Sequence, residues 1–277
     1  MKMAGTLYIV ATPIGNLEDM TKRAERVLSA VDRVACEDTR RTRKLLTSLG
    51  ISKPLVSYYE PREEKAVPKI IGMLKDGDNV ALVTDGGTPA VSDPGYRLVK
   101  AAADEGIKVV PVPGASALAA AVSASGLPSD RFTFSGFPPK QAGKRRKLLE
   151  ELATRRDTLV FYESPNRVVA FMKDALDVLG ERETVVFREM TKMFEERISG
   201  ALSEVIGKVE NSELKGEFTV LVSGSEGAGP PSDEMLAQMV EDALADGEKM
   251  SALASRIARE TGLNKQTVYD LALRLKK

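Results

Sequence analysis

The sequence predicts an α/β protein built from two α/β domains and a helical tail, and three observations carry that reading. Short β-branched runs alternate with helical stretches through the first half, as in a parallel sheet. After Gly126-Leu127-Pro128-Ser129, which reads as a hinge, the alternation starts again. Beyond Gly224 to Ser232, a linker bearing Gly and Pro, only helical periodicity remains. The expected domains are therefore 1–125, 129–224 and 232–277.

Within the first domain, Leu7 to Ala11 reads as a strand, and Thr12-Pro13-Ile14-Gly15-Asn16 as the turn feeding a helix that ends near Ala30. This turn is not Gly-x-Gly-x-x-Gly, so it offers little cradle for a phosphate. Arg33 to Cys36 is a second strand, and Glu37-Asp38-Thr39-Arg40 opens a helix that Gly50 closes. Leu55 to Tyr58 is a third. Glu60 to Lys75 is helical, with Pro68 expected at a start or a kink.

The run from Val80 to Val83 is continuously apolar and bounded by glycines, which suits a central strand buried on both faces. It breaks at Asp85-Gly86-Gly87-Thr88-Pro89, where open parallel sheets bind ligands beyond their carboxyl ends. Gly86 and Gly87 permit close backbone approach, and Asp85 and Thr88 offer hydrogen bonds. Tyr96 to Glu105 is a helix, and Val109 to Val112 a strand that ends in Pro113-Gly114-Ala115-Ser116-Ala117 before the Ala-rich helix 117–125.

In the second domain, strands fall at Arg131 to Ser135, Thr158 to Tyr162, Thr184 to Arg188 and Glu217 to Ser223, with one more at Glu195 to Gly200 and a mixed sheet as an option. Helices lie at about 144–155, 167–179 and 202–209. In the tail, Ala258, Gly262 and Val268 stand at helix-turn-helix spacing, with Ile257, Leu263 and Leu271 around them. Lys265, Gln266, Arg274, Lys276 and Lys277 would then face nucleic acid, or the tail is a plain helical cap.

Composition narrows the chemistry. The chain has 277 residues, 43% hydrophobic and 29% charged, enough for a sizeable core. Lys plus Arg and Asp plus Glu both number 40, so only local clusters can point to a partner. One cysteine, Cys36, and no histidine exclude an intramolecular disulfide, the usual zinc sites and His-based triads. No metal site is expected, and a proton acceptor must be Asp, Glu, Lys, Tyr or water. The amino terminus lacks the apolar segment of a signal peptide and no run nears membrane-spanning length, so a cytoplasmic protein without a membrane partner is expected. Arg40, Arg43 and Lys44 share a helix face, and Lys140, Lys144, Arg145, Arg146 and Lys147 form a second cluster suited to phosphates. Aromatic residues for base stacking are few, at 5%, with Tyr58, Tyr59 and Phe137 near strand ends.

Several motifs in register carry a resemblance. Thr12 to Asp19, Glu37 to Thr42, Ala81 to Gly95, Pro111 to Ala117 and Tyr162-Glu163-Ser164-Pro165-Asn166-Arg167 together resemble the tetrapyrrole methylase superfamily, in the branch that methylates a cytidine 2′-hydroxyl of bacterial 16S ribosomal RNA. The resemblance spans about Gly5 to Ser223, and the tail fits it. It implies an S-adenosylmethionine cleft between two α/β domains, a homodimer, and a substrate in the decoding region of the small ribosomal subunit. Cofactor contacts carried over fall on Ile14, Thr88, Val91, Ser116, Ala117 and Tyr162, and the same turns add Pro13, Asp85 and Gly87. After the third strand the family usually carries histidines, whereas this chain reads Ser57-Tyr58-Tyr59-Glu60-Pro61-Arg62.

For transfer to a ribose hydroxyl, the candidate bases are Asp38, Glu37 and Glu60, with Arg40 on the neighbouring phosphate and Arg43, Lys44, Lys144 and Arg145 along the RNA. Two rivals stand beside this: a methyltransferase acting on a tetrapyrrole, and a non-enzymatic regulator that reads nucleic acid through its tail. The basic clusters argue against the first, the intact strand-end turns against the second.

Overall fold

The computed structural model describes residues 3–225, 233–261 and 263–275. Met1, Lys2, most of the expected linker, the turn residue Gly262 and the terminal Lys276 and Lys277 lie outside the described residues. Two compact units are present: Met1–Ala153 with Asp157–Ser223, and Thr154–Arg156 with Gly224–Lys277.

The first unit opens with β1 (Leu7–Val10), α1 (Lys22–Ala30), β2 (Arg33–Cys36), α2 (Thr39–Ser48), β3 (Leu55–Ser57), α3 (Glu63–Lys75), β4 (Val80–Val83), α4 (Tyr96–Asp104) and β5 (Val109–Val112). The strands form one parallel sheet in the order β3-β2-β4-β1-β5, with β4 at its centre. Alternation along the strands divides the core. Val80 and Leu82 join Leu7, Ile70, Leu74 and Leu98 on the face covered by α3 and α4, while Ala81 and Val83 join Val10, Leu28, Val34 and Leu46 beneath α1 and α2. Burial on both sides is why β4 lacks polar residues.

Pro68 was expected to start or kink a helix. It does not start one: α3 runs through it, preceded by a 3-10 turn at Glu60–Arg62. The lost backbone bond would have gone to Glu64, an exposed residue whose carbonyl water can serve.

A second, mixed sheet follows, from β6 (Phe132–Phe134), β7 (Thr158–Glu163), β8 (Glu183–Arg188), β9 (Glu196–Ala201) and β10 (Phe218–Val222) in the order β6-β7-β10-β8-β9. Only β6 and β7 run parallel. One face packs on α6 (Ala142–Leu152), α7 (Val168–Leu179) and α8 (Leu202–Glu210) through Leu149, Phe171, Met172 and Val205. The other face is covered by α5 (Ala117–Ser125): Ala121 and Leu127 are buried against Val160, Val185, Phe187 and Leu221. The segment read as a hinge is therefore held. Leu127 is 5% exposed, Thr158 Oγ1 donates to the Pro128 carbonyl at 2.6 Å, and Arg197 to that of Ser125 at 2.8 Å.

The second unit holds α9 (Asp233–Ala245), α10 (Met250–Thr261) and α11 (Lys265–Leu275) around Leu236, Val240, Leu253, Ile257, Val268 and Ala272. Ala258, Leu263 and Leu271 pack against that core.

One buried carboxylate anchors the turn after β4. Glu63 Oε1 accepts from the Tyr58 hydroxyl at 2.8 Å and from the Gly95 amide at 3.2 Å, and Arg97 lies 3.5 Å from Oε2. Glu63→Leu leaves two buried donors unmatched and is expected to lower stability by about 2–4 kcal/mol in urea titration. An unchanged midpoint would show that the network carries no load.

Candidate functional site

The exit turns of β1, β4 and β5 meet because hydrogen bonds join them. Thr12 and Gly87 exchange backbone bonds, each amide donating to the other's carbonyl at 2.9 Å. Thr12 Oγ1 donates to the Thr84 carbonyl at 3.0 Å, and Thr88 Oγ1 to that of Ala115 at 3.2 Å. Gly87 stands at φ +97, a region open chiefly to glycine. A Cβ on Gly86 would lie 3.2 Å from the Pro13 carbonyl oxygen, so the turns touch backbone to backbone. Ala90 and Ser92, with φ of 67 and 61, add strain to the same segment.

Beyond these turns opens a cleft of about 370 Å³. Pro13, Ile14, Asp85, Gly87, Thr88, Val91, Ser116, Ala117 and Tyr162, the residues singled out for a cofactor, all line it. Its other wall comes from the second sheet: Phe137, Glu163, Met190, Lys192, Glu217, Phe218 and Thr219. Lys192 is held 2.7 Å from Glu189 Oε1 and 3.4 Å from Glu217 Oε2. Its stem crosses Gly15 so closely that a Cβ there would lie 2.4 Å from Lys192 Cγ. Sequence reading missed Lys192. The available signal was the Glu189 and Lys192 pair at a spacing of three, in a stretch that no periodicity claimed.

Carboxylates dominate the lining. Asp85 accepts from the Asp38 amide at 3.2 Å and pairs with Arg41 at 3.2 Å. Glu163 binds Arg167 at 2.6 Å, and burial pushes its carboxyl up. Asp93 has no ion-pair partner among the described residues, and burial raises its pKa. Tyr162 is pushed up to about 12 by burial, so its phenol stays neutral.

The candidate bases lie outside the lining. Asp38 caps α2, its Oδ1 accepting from the Arg40 amide at 2.7 Å, and that bond holds its carboxyl below the usual range. Glu37 is shifted up by burial and by Asp85 and Asp93. Glu60 is exposed in the turn after β3.

Among the cations, Arg40, Arg43 and Lys44 are exposed along α2, with Arg43 beside Lys53 in a separate groove. Arg41, not Arg40, reaches the cleft. Lys144 is exposed, but Arg145 corrects the expectation of a surface cation. It is 7% exposed and turned inward, where its Nε donates to Asp174 at 2.7 Å, so it ties α6 to α7. Arg146 is likewise engaged with Asp174 and Asp177.

A two-sheet α/β body with an acid-lined ligand crevice beyond its strand ends is the class that fold and site define. Residues 6–206 match the tetrapyrrole (corrin/porphyrin) methylase family, and the chain belongs to it. It is 44% identical over 272 residues to the ribosomal RNA small subunit methyltransferase I of Halalkalibacterium halodurans, covering 96% of this chain and 94% of that one. With the protein of the same name from Thermotoga maritima it shares 48% over 223 residues, 80% of this chain and all of the relative. Among solved structures, a cobalt precorrin-4 methyltransferase aligns with TM-score 0.59 at 18% identity, over 79% of this chain and 94% of its own. A diphthine synthase aligns with TM-score 0.61 at 16%, over 79% and 90%. At such identities these two speak to the fold alone.

Gly15→Val forces Lys192 off its path, a strain of about 1–3 kcal/mol. Calorimetry should then find affinity for S-adenosylmethionine reduced roughly tenfold. Undiminished affinity would mean that the Lys192 crossing does not shape the cleft.

Proposed function

We propose that the protein transfers a methyl group from S-adenosylmethionine to RNA of the small ribosomal subunit, the RNA methylation named for its near-full-length relatives. In the finer reading, the acceptor is the ribose 2′-hydroxyl of a cytidine in the decoding region of 16S RNA, and the enzyme is a cytoplasmic homodimer. No helix among the described residues is long and apolar enough to cross a membrane. The observation that carries the proposal is the cleft itself, where joined exit turns face an acid-lined wall.

The residues fit this methyl donor. A sulfonium cation is favoured by Asp85, Asp93 and Glu217, and a ligand without phosphate needs no cradle of amides in the first turn. A volume near 370 Å³ suits a small ligand held between two walls. S-adenosylmethionine, when bound, supplies an electrophilic methyl group whose bond to sulfur breaks with the electron pair left on sulfur. Ile14, Val91 and Ala117 exclude water, while Thr88 and Ser116 present hydroxyls. Holding the two reactants in line contributes on the order of 7–11 kcal/mol toward the barrier.

We assign the proton of the attacking hydroxyl to Asp93. It lines the cleft, no ion-pair partner among the described residues competes for it, and burial raises its proton affinity. Asp38, with its lowered pKa and its capping bond, is a weaker acceptor, and Glu37 stands outside the lining.

Purified protein with labelled donor should mark the RNA of small subunits that lack the modification. Label appearing elsewhere, or nowhere, would contradict the proposal. Asp93→Asn should lower turnover by about 100-fold. Since the ionised carboxylate is the active form and its pKa is raised, wild-type turnover should fall with decreasing pH through a midpoint above the ordinary aspartate value of about 3.9. A pH profile that Asp93→Asn leaves intact would rule Asp93 out as the acceptor.

A further inference from the structure

Phe137 lines the cleft with 56% of its surface exposed. The ring is nevertheless held in position. It meets Tyr162 edge-on at 5.6 Å and 61°, and Tyr162 meets Phe134 at 4.8 Å and 68°, so three aromatic rings step outward from the second sheet. Hydrogen bonds secure its loop on both sides. The Tyr162 amide donates to the Gly136 carbonyl at 2.9 Å, Arg167 donates to the Pro138 carbonyl, and Glu163 holds Arg167 at 2.6 Å. Gly136 stands at φ +59, and a Cβ there would lie 2.6 Å from Ser92 Oγ, so this loop seats against the turn that follows β4. Further along the same loop and at the start of α6, Lys140 and Lys144 are exposed and have no ion-pair partner among the described residues.

We infer that Phe137 is the platform on which a nucleobase of the RNA substrate stacks, with Lys140 and Lys144 beside it for the flanking phosphates. The inference rests on the reading of the protein as an RNA methyltransferase. A nucleotide whose ribose is drawn into a narrow cleft is pulled away from its neighbours, and an unstacked base gains from a new π-surface. Phe137 stands across the cleft from the joined turns of the first sheet, with its ring 56% exposed and open to a second ligand. A ring already ordered by Tyr162 loses little freedom on binding. Lysines next to it without an ion-pair partner among the described residues match a polynucleotide.

The test compares Phe137→Leu and Phe137→Tyr with the wild type, using small subunits that lack the modification and labelled S-adenosylmethionine. Phe137→Leu should lower kcat/KM for subunits roughly tenfold or more, with donor affinity by calorimetry within about twofold of wild type. Phe137→Tyr, which restores an aromatic face, should recover most of the loss. Equal kcat/KM in Phe137→Leu and wild type overturns the inference while leaving methylation standing. A parallel fall in donor affinity also overturns it, by assigning the ring to the cofactor. Wild-type protein that methylates no RNA removes the functional reading and this inference together.

Discussion

The reciprocal backbone bond between Thr12 and Gly87 is the constraint on which the site depends. Two neighbouring parallel strands, β1 and β4, would ordinarily diverge into separate turns at their ends. Here each turn satisfies the other's amide and carbonyl, and Thr12 Oγ1 takes up the carbonyl of Thr84 as well. The amides and carbonyls of Thr12 and Gly87 are thus satisfied within the protein, which ties the two turns together. The left-handed conformation of Gly87 is what allows the geometry, and a side chain there would strain the turn.

Around that junction the two sheets contribute different things. The first supplies turns, small residues and hydroxyls; the second supplies aromatic rings, Lys192 and most of the rim. Their union is maintained by α5, which leaves β5 at the crevice and then packs on the second sheet through Ala121, with Leu127 just beyond it. Ser116 at the start of α5 is therefore both a lining residue and the first link between the walls. Acidic groups outnumber cations in the lining, and the two cations present, Arg41 and Lys192, are already paired with Asp85 and Glu189. The field inside favours a cationic ligand, whereas the free lysines sit outside on the loop near Phe137 and favour a polyanion.

Much of this was legible in the amino-acid order, for a physical reason. A strand buried on both faces must be a short unbroken apolar run, and Val80–Val83, read by that rule, is the fully buried central strand; Arg33–Cys36 and Val109–Val112 were also bounded correctly. The strand-end turns announced themselves through glycine, and the cofactor residues that the family resemblance carried over onto strand ends gather in one cleft. What stayed hidden was non-local. Nothing in the run Phe218–Val222 says that the last strand inserts between β7 and β8, which is how Glu217, Phe218 and Thr219 reach the lining. The small side chains of α5 carry too weak a face to reveal which sheet they cover. Lys144 and Arg145 looked alike as members of one basic run, yet the rotation of about 100° between successive helix residues sends the first to solvent and the second onto Asp174. The capping of α2 by Asp38 is a local bond that a capping signature in the sequence already carries.

Amide hydrogen exchange at Thr12 and Gly87, followed with and without S-adenosylmethionine, tests the central claim most directly. Joined turns that cradle the donor should show both amides protected in the free protein and slowed further when the donor is added. Rapid exchange at either amide, or protection that the donor leaves unchanged, would contradict the account.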